Sequence, residues 1–515
     1  MRSSLLAIAL VLSAPALAQE NKAGDTPPKD MKAATPAPKA ESDSAKASIA
    51  EDAQPVRRSI PFGGRTLAYT VTPGHLTIRN EEGDPTASIF YVAYTVPSTG
   101  RPRPVTFLFN GGPGSSTMWL HMGSVGPLKI DASRPEMAGP APFRLASNPD
   151  TLLDVSDLVF IDAPTTGLSR AVGKAETKDL VGVDNDLDAF TRAIQRWLTI
   201  YGRWNSPKFI IGESYGTLRA AGLSRSLAAK GVQLNGVTLM STVLSIGQLF
   251  SDYDQTYVNI LPTYAATAWY HNRVANKPPL ESFLQDARNF ARGRYSAALQ
   301  QGNGLAETER RAVAEEAARF TGLTPDYLLA NNLRVDPSRF RKELLRSEGR
   351  IVGRLDSRFT GSDPDRAGEA AEYDPQDRAI SGAWTAMIND YLFRDLGYRT
   401  PLTYRPNNPA VFPLWDWKHN AGGQGRPQTA ADTSVDLAAA MRENPNLKLL
   451  AVNGLYDLAT PFAGAEYDIG HMQLGPGELR NIRYTYYAAG HMMYIDPVSS
   501  RQLKADLASF YASAM

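Results

Sequence analysis

The chain has 515 residues, 43% of them hydrophobic and 21% charged, with a formal net charge of +1. A chain this long can bury a large core, in one big domain with insertions or in two domains. So even a charge balance points neither to nucleic acid nor to an anionic membrane as partner, and 36 prolines with 41 glycines suit turns and loops better than a helical bundle.

The first residues read as an address. Arg2 supplies a positive charge, Leu5–Leu12 is a short apolar run, and Ala16-Leu17-Ala18 precedes Gln19 with small residues at the spacing of a cleavage site. Residues 1–18 are therefore expected to be a signal peptide, too short for a stable membrane span. The chain contains no cysteine, which removes thiolate chemistry, iron–sulfur clusters and cysteine-based zinc sites. A core this large can hold an exported chain together without disulfides. Residues 19–55 are rich in Ala, Lys, Pro, Ser, Asp and Glu and lack aromatics. Such a segment buries too little apolar surface to offset its ordering entropy, so a disordered spacer is expected there, with folding to begin near Val56–Ile60.

Strand-like runs follow at Thr66–Val71, His75–Arg79 and Ile89–Val96, punctuated by Pro73-Gly74 and Gly83-Asp84-Pro85. The apolar run Pro104–Phe109 leads directly into Asn110-Gly111-Gly112-Pro113-Gly114. Strand and helix patterns then alternate: Leu158–Ile161, a helix around Val183–Tyr201, Lys208–Ile211, a helix around Thr217–Ala229, and Gly236–Met240. That alternation predicts a mostly parallel sheet covered on both faces. Residues 247–398 read mainly as helices, with Leu280, Phe283, Leu284, Ala287, Phe290 and Ala291 at helical spacing and Asp336-Pro337 as a helix start. Alternation resumes at Leu447–Val452 and Ile482–Tyr487, and a last helix is expected around Ser499–Ala512. The expected organisation is one sheet domain, 56–246 and 399–515, interrupted by a helical cap at 247–398.

Gly212-Glu213-Ser214-Tyr215-Gly216 lies between an apolar strand and a helix, the setting of a nucleophile elbow. A sharp turn there lifts the serine hydroxyl above the sheet, and the flanking glycines allow the backbone to pass closely. The motif in this place predicts an α/β-hydrolase fold with Ser214 as nucleophile. Serine needs a base oriented by a carboxylate, and the chain has six histidines: His75, His121, His271, His419, His471 and His491. In this fold the order is serine, acid, histidine, so the first two are excluded by position. His271 and His419 lie in or beside the cap. His491 follows the strand Ile482–Tyr487 just ahead of the last helix, which is the place of the base, with His471 as runner-up. Asp457 ends the segment after Leu447–Val452 and is the candidate acid; Asp468 and Glu466 are alternatives with the look of surface helix charges. The glycine-rich loop after Phe109 would supply one oxyanion N–H and Tyr215 the other. A phosphate-binding reading of that loop lacks the lysine it requires.

Four separated segments, Asn110–Ser116, Gly212–Gly216, Asn453–Asp457 and Gly490-His491-Met492, together with Ile161-Asp162-Ala163-Pro164, resemble the serine carboxypeptidase family in order and spacing over most of the chain after Ser59. The resemblance implies Ser214, Asp457 and His491 as triad, Gly112 and Tyr215 as oxyanion donors, and Asn110, Gly111 and Glu213 as the site for a peptide's free C-terminal carboxylate. It implies peptide substrates and no cofactor or metal; with the amino-terminal address and the even charge, the expectation is an exported enzyme, periplasmic or secreted, with no nucleic-acid partner and no stable membrane span. A glutamate binds a carboxylate only when the pair holds a proton, so peptidase activity is expected to favour acidic pH. An esterase or acyltransferase with the same machinery is the alternative, ahead of a non-catalytic binding protein. Two departures stand out: Ser115 occupies a position that is cysteine in better-known eukaryotic members, and Ser124 stands before Val125-Gly126-Pro127 where many have an acidic residue.

Overall fold

Alternate residues of the apolar runs face opposite ways, and each face buries its own core. Phe107, Phe109, Ile210 and Leu449 pack on one side with Phe190, Trp197 and Leu218, while Leu108, Phe209, Ile211 and Leu450 pack on the other with Trp384, Phe510 and Tyr511. Period-two burial on both faces is what a central sheet between helix layers requires. The computed structural model describes residues 46–98, 100, 102–130, 139–249, 253–423 and 425–515. The expected signal peptide and most of the expected spacer lie outside these residues.

The main sheet has 11 strands. Its principal order is Asp52–Ala53, Arg65–Arg79, Pro85–Thr95, Asp157–Ile161, Val105–Phe109, Lys208–Glu213, Gly236–Met240, Lys448–Gly454 and Ile482–Tyr487. From Asp157–Ile161 onward every pairing is parallel; the strands before it pair antiparallel. Helices Val183–Ile200 and Tyr215–Ala229 cover one face, and Pro497–Ser513 lies against the other. This is the α/β-hydrolase fold. Its parallel strands deliver their C-terminal ends to one edge, where the loops after Phe109, Glu213, Gly454 and Tyr487 meet.

Three sequence expectations are refined. Pro73-Gly74 is not a turn: Arg65–Arg79 runs straight through it, pairing Pro73 with Val92 and Gly74 with Tyr91. A Cβ on Gly74 would lie 2.2 Å from Asp52 O, so the glycine marks a close strand approach. The folded part also starts before Val56. Asp52–Ala53 pairs with His75 and Gly74. The Asp52 carboxylate accepts from His75 N at 2.7 Å and from the Tyr398 hydroxyl at 2.8 Å, and Glu51 pairs with Arg196 at 2.6 Å. These tethers are polar and edge-paired, so apolar content gave no sign of them.

The cap is the third. Helices Asp254–Tyr270, Leu280–Phe290 and Glu307–Thr321 build a separate apolar core with Phe340, Tyr456 and Leu458. Helix Pro375–Asn389, near the end of the expected insertion, instead joins the sheet's core through Ile380, Trp384 and Ile388. Asp336 does start a helix, its carboxylate accepting from Ser338 N at 2.7 Å ahead of Pro337–Glu343. Among the described residues no helix is long and apolar enough to cross a membrane.

Candidate active site

Strand Lys208–Glu213 ends and helix Tyr215–Ala229 begins with a single residue between them, Ser214. Its φ is +62°, a strained conformation for a side-chain-bearing residue, costing on the order of 1–3 kcal/mol. The turn is possible because a Cβ on Gly212 would sit 1.9 Å from Gly216 O, and one on Gly216 would sit 2.9 Å from Phe109 O. Gly111 completes the crowding: a Cβ there would lie 2.5 Å from the backbone nitrogens of Tyr215 and Gly216. The glycine-rich loop is thereby pressed against the start of the serine's helix, which brings Gly112 and Tyr215, the two expected oxyanion donors, to the same turn.

A buried ion pair locks that junction. Arg219 and Asp186 have side chains 0% and 1% exposed, with Arg219 Nε donating to Asp186 Oδ2 at 2.6 Å. Arg219 Nη1 also donates to Asn110 O at 2.6 Å, and its guanidinium stands 4.3 Å from the Phe190 ring centroid. One side chain thus joins the glycine-rich loop, the serine's helix and helix Val183–Ile200. Removing one partner strands the other charge in the core, so Arg219→Ala is expected to cost about 3–5 kcal/mol. Urea unfolding checks this; a loss below about 1 kcal/mol would match an exposed pair instead.

His491 Nδ1 lies 2.7 Å from Asp457 Oδ2, and Asp457 is fully buried. A carboxylate only accepts, so Nδ1 carries the proton and Nε2 keeps its lone pair. Asp457 is itself fixed by donors from Ala459 N (2.8 Å), Thr460 N (3.0 Å) and the Thr460 hydroxyl (2.7 Å). Burial works against a charged His491, but the charge and hydrogen bond of Asp457, with the charge of Glu213, outweigh it and raise its pKa above the usual value. Thr460 was not singled out from sequence; its place three residues after the acid is the signal that would have found it.

The other histidines are engaged elsewhere. His471, the runner-up, is exposed, stacks on Tyr467 and bonds its carbonyl at 2.7 Å. His75 meets Asp52 and His271 meets Ser357 O. His121 bonds the Tyr94 hydroxyl and is held neutral by burial, its pKa pushed down to about 3. His419 is clamped between Asp184 and Asp436, each at 2.6 Å. The alternative acids are also accounted for, and neither is a plain surface charge. Asp468 is buried and accepts from Leu244 N at 2.9 Å, and Glu466 pairs with Arg288 at 2.8 Å.

Ser214, His491, Glu213, Asn110, Gly111 and Gly112 line one cleft, together with Ser115, Trp119, Ile380, Asn407, Phe412 and Met492. Glu213 is 3% exposed, and its Oε2 has no hydrogen-bond partner. Burial raises its pKa to about 7. Asn110 and the buried Tyr494 hydroxyl stand beside its carboxyl and interact with it. Asn110 Oδ1 accepts from Leu120 N at 3.0 Å, in helix Met118–Gly123, which turns the amide's donor end away from that helix. Ser124 is turned from the cleft, its hydroxyl donating to Leu120 O at 2.5 Å. Ser115 Oγ accepts from Trp119 Nε1 at 3.0 Å on the cleft wall. Asp162 is buried nearby, holding Thr117 N at 2.8 Å, with its pKa pushed up to about 6 by burial. It supports the glycine-rich loop's exit and does not line the cleft.

Comparison with known proteins adds the following. The model of the family described as serine carboxypeptidase matches residues 63–332. The pheromone-processing carboxypeptidase KEX1 of Saccharomyces cerevisiae is 30% identical over 155 residues, which are 28% of this chain and 20% of that protein. The match thus spans about a fifth of the length of these curated relatives. Among solved structures, the proline iminopeptidase of Mycobacterium smegmatis aligns at 14% identity and a TM-score of 0.36 over 89% of this chain and 98% of that one. A thermostable carboxyl esterase of Bacillus coagulans aligns at 11% identity and a TM-score of 0.36, over 85% of this chain and 98% of that one.

Proposed function

The chain belongs to the serine carboxypeptidase family, and from that premise we propose that it removes residues from the free C-terminus of peptides through an acyl-enzyme. One observation carries the proposal. The strained serine Ser214 and His491, whose ring is held by Asp457, line the same cleft as the buried carboxyl of Glu213. In this reading His491 Nε2 takes the Ser214 proton as the hydroxyl attacks the scissile carbonyl, and Asp457 stabilises the imidazolium. The backbone N–H groups of Gly112 and Tyr215 receive the oxyanion. His491 then protonates the leaving amine, and water repeats the sequence on the ester.

Glu213, Asn110 and Gly111 would hold the substrate's terminal carboxylate, with Tyr494 beside them. A peptide carboxylate is ionised above about pH 4, so the proton the pair requires must sit on Glu213. With its pKa raised to about 7, Glu213 keeps that proton in acid and loses it as pH rises through neutrality. KM for free-acid peptides is therefore expected to climb above about pH 7, by roughly tenfold per unit once Glu213 ionises. C-terminal amides lack the carboxylate and should show no such climb, and Glu213→Gln should flatten it. A KM for free acids that stays constant to pH 9 would remove Glu213 from carboxylate recognition.

The direct test of the function compares kcat/KM for a peptide with that for its C-terminally amidated twin. The carboxypeptidase reading expects a strong preference for the free acid. Equal rates on both, or turnover of simple esters alone, would favour an esterase or acyltransferase. Export to the periplasm or beyond is part of the same proposal and rests on Arg2, Leu5–Leu12 and Ala16-Leu17-Ala18. Fractionation of cells expressing the full chain checks it.

A further inference from the structure

The cap segment that begins at Arg354 is fastened to both loops bearing the acid and the base. Arg354 N and Leu355 N donate to Asp374 Oδ2 at 2.7 and 2.9 Å. Leu458 N, next to Asp457, donates to Arg354 O at 3.0 Å, and His491 N donates to Leu355 O at 2.7 Å. Gly490 N completes the join by donating to Asp356 Oδ2 at 3.0 Å. The backbone of Arg354 is thereby fixed relative to Asp457 and His491.

Its side chain takes no part in that fastening. Arg358, on the same segment, is spent on Asp356 and Ala488 O. Arg341, on a neighbouring wall, is spent on the carbonyls of Val352 and Tyr373. The half-buried guanidinium of Arg354 forms no hydrogen bond or ion pair with any described residue. Its charge is felt by Asp377 on the same cleft wall, but no carboxylate contacts it directly, and a half-buried cation without a direct contact gains from an anion that arrives to meet it.

The position says which anion. Asn110 and Glu213 line the catalytic cleft, while Leu458, Ala459 and Thr460 line a second cavity of about 370 Å³. That cavity also holds carboxylates, but Asp336, Asp374 and Asp468 each accept from backbone N–H groups and Glu372 is exposed to water. Arg354 lines both cleft and cavity, and its charge reaches His491. If the terminal carboxylate sits at Asn110 and Glu213, as proposed above, the residue on the acyl side of the cleaved bond extends beyond Ser214 on the side away from them, and Arg354, shared by the cleft and the second cavity, is the cation there. A guanidinium is a planar fork suited to a carboxylate. We propose that Arg354 recognises an acidic side chain on the residue just before the cleaved bond, so that the enzyme favours Glu or Asp at the penultimate position of its substrates. This inference rests on the carboxypeptidase reading. Asp377, on the cleft wall with Ser381 Oγ donating to it at 2.8 Å, is the group that would take a basic side chain instead.

The test uses three peptides with free C-termini that differ only in a penultimate Glu, Gln or Lys, with wild type, Arg354→Gln and Arg354→Glu. Wild type is expected to favour Glu over Gln by about tenfold in kcat/KM, the worth of one charge-assisted contact. Within Arg354→Gln the ratio should fall to near one, and within Arg354→Glu it should invert toward Lys. Ratios taken inside each variant are independent of its absolute rate, and labelling of Ser214 by an organophosphonate reports that each variant is assembled. Equal wild-type rates on Glu and Gln, or a preference for Lys, overturns the assignment even if neither variant folds. Failure of wild type to cut any of the three overturns the carboxypeptidase reading itself.

Discussion

His491→Ala is expected to lower kcat by about a million-fold, the loss seen when the base of a serine triad is removed, while His471→Ala leaves kcat within about twofold. The contrast follows from geometry. Only His491 meets a buried carboxylate, Asp457, while lining the cleft that holds Ser214. His471 bonds a carbonyl of its own helix and faces solvent. Steady-state kinetics on a free-acid peptide measures both variants. Near-normal turnover by His491→Ala would refute the base assignment, and a collapse in His471→Ala would move it.

Ser214→Ala is expected to cause a loss of the same size, because nucleophile and base act as one unit. The residual rate should not fall further in the double variant with His491→Ala, since neither partner functions without the other. A serine-directed organophosphonate should label wild type at Ser214 and leave Ser214→Ala unlabelled. Alanine at this position also keeps a strained φ of +62°, so stability should change little. Labelling at another residue, or additive losses in the double variant, would mean that Ser214 is not the nucleophile.

The chemistry of the site was more legible in the sequence than its walls. Ser214, Asp457 and His491 could be picked out because each follows a strand whose apolar run is visible, and parallel strands bring their ends together. The cores on both faces of the sheet were equally legible, since Phe107 to Phe109 and Phe209 to Ile211 alternate between them. Contacts between distant segments were not. Arg354 reaches the cleft from the cap, Asp377 from helix Pro375–Asn389 and Asn407 from the return of the chain, through backbone ties such as Leu458 N to Arg354 O that carry no side-chain signature. Gly74 misled for a related reason. A glycine that admits a neighbouring strand looks, in sequence, like one that makes a turn. The tether at Asp52 was hidden because its partners, His75 and Tyr398, are hundreds of residues apart in sequence from each other and hold it by polar contacts alone.

Whether this chain hydrolyses peptides from their C-terminal end through Ser214 is decided by following the mass of a defined peptide in ¹⁸O water. Wild type should produce a ladder of single-residue losses from the C-terminus. Each shortened peptide should carry one ¹⁸O on its new terminal carboxylate; the first amino acid released should carry none, and each later one the ¹⁸O that the preceding cut placed on its carboxylate. Ser214→Ala should leave the peptide intact. Internal fragments, losses from the N-terminus, or an intact peptide alongside a wild-type protein that reacts with the organophosphonate would rule out a carboxypeptidase acting through Ser214.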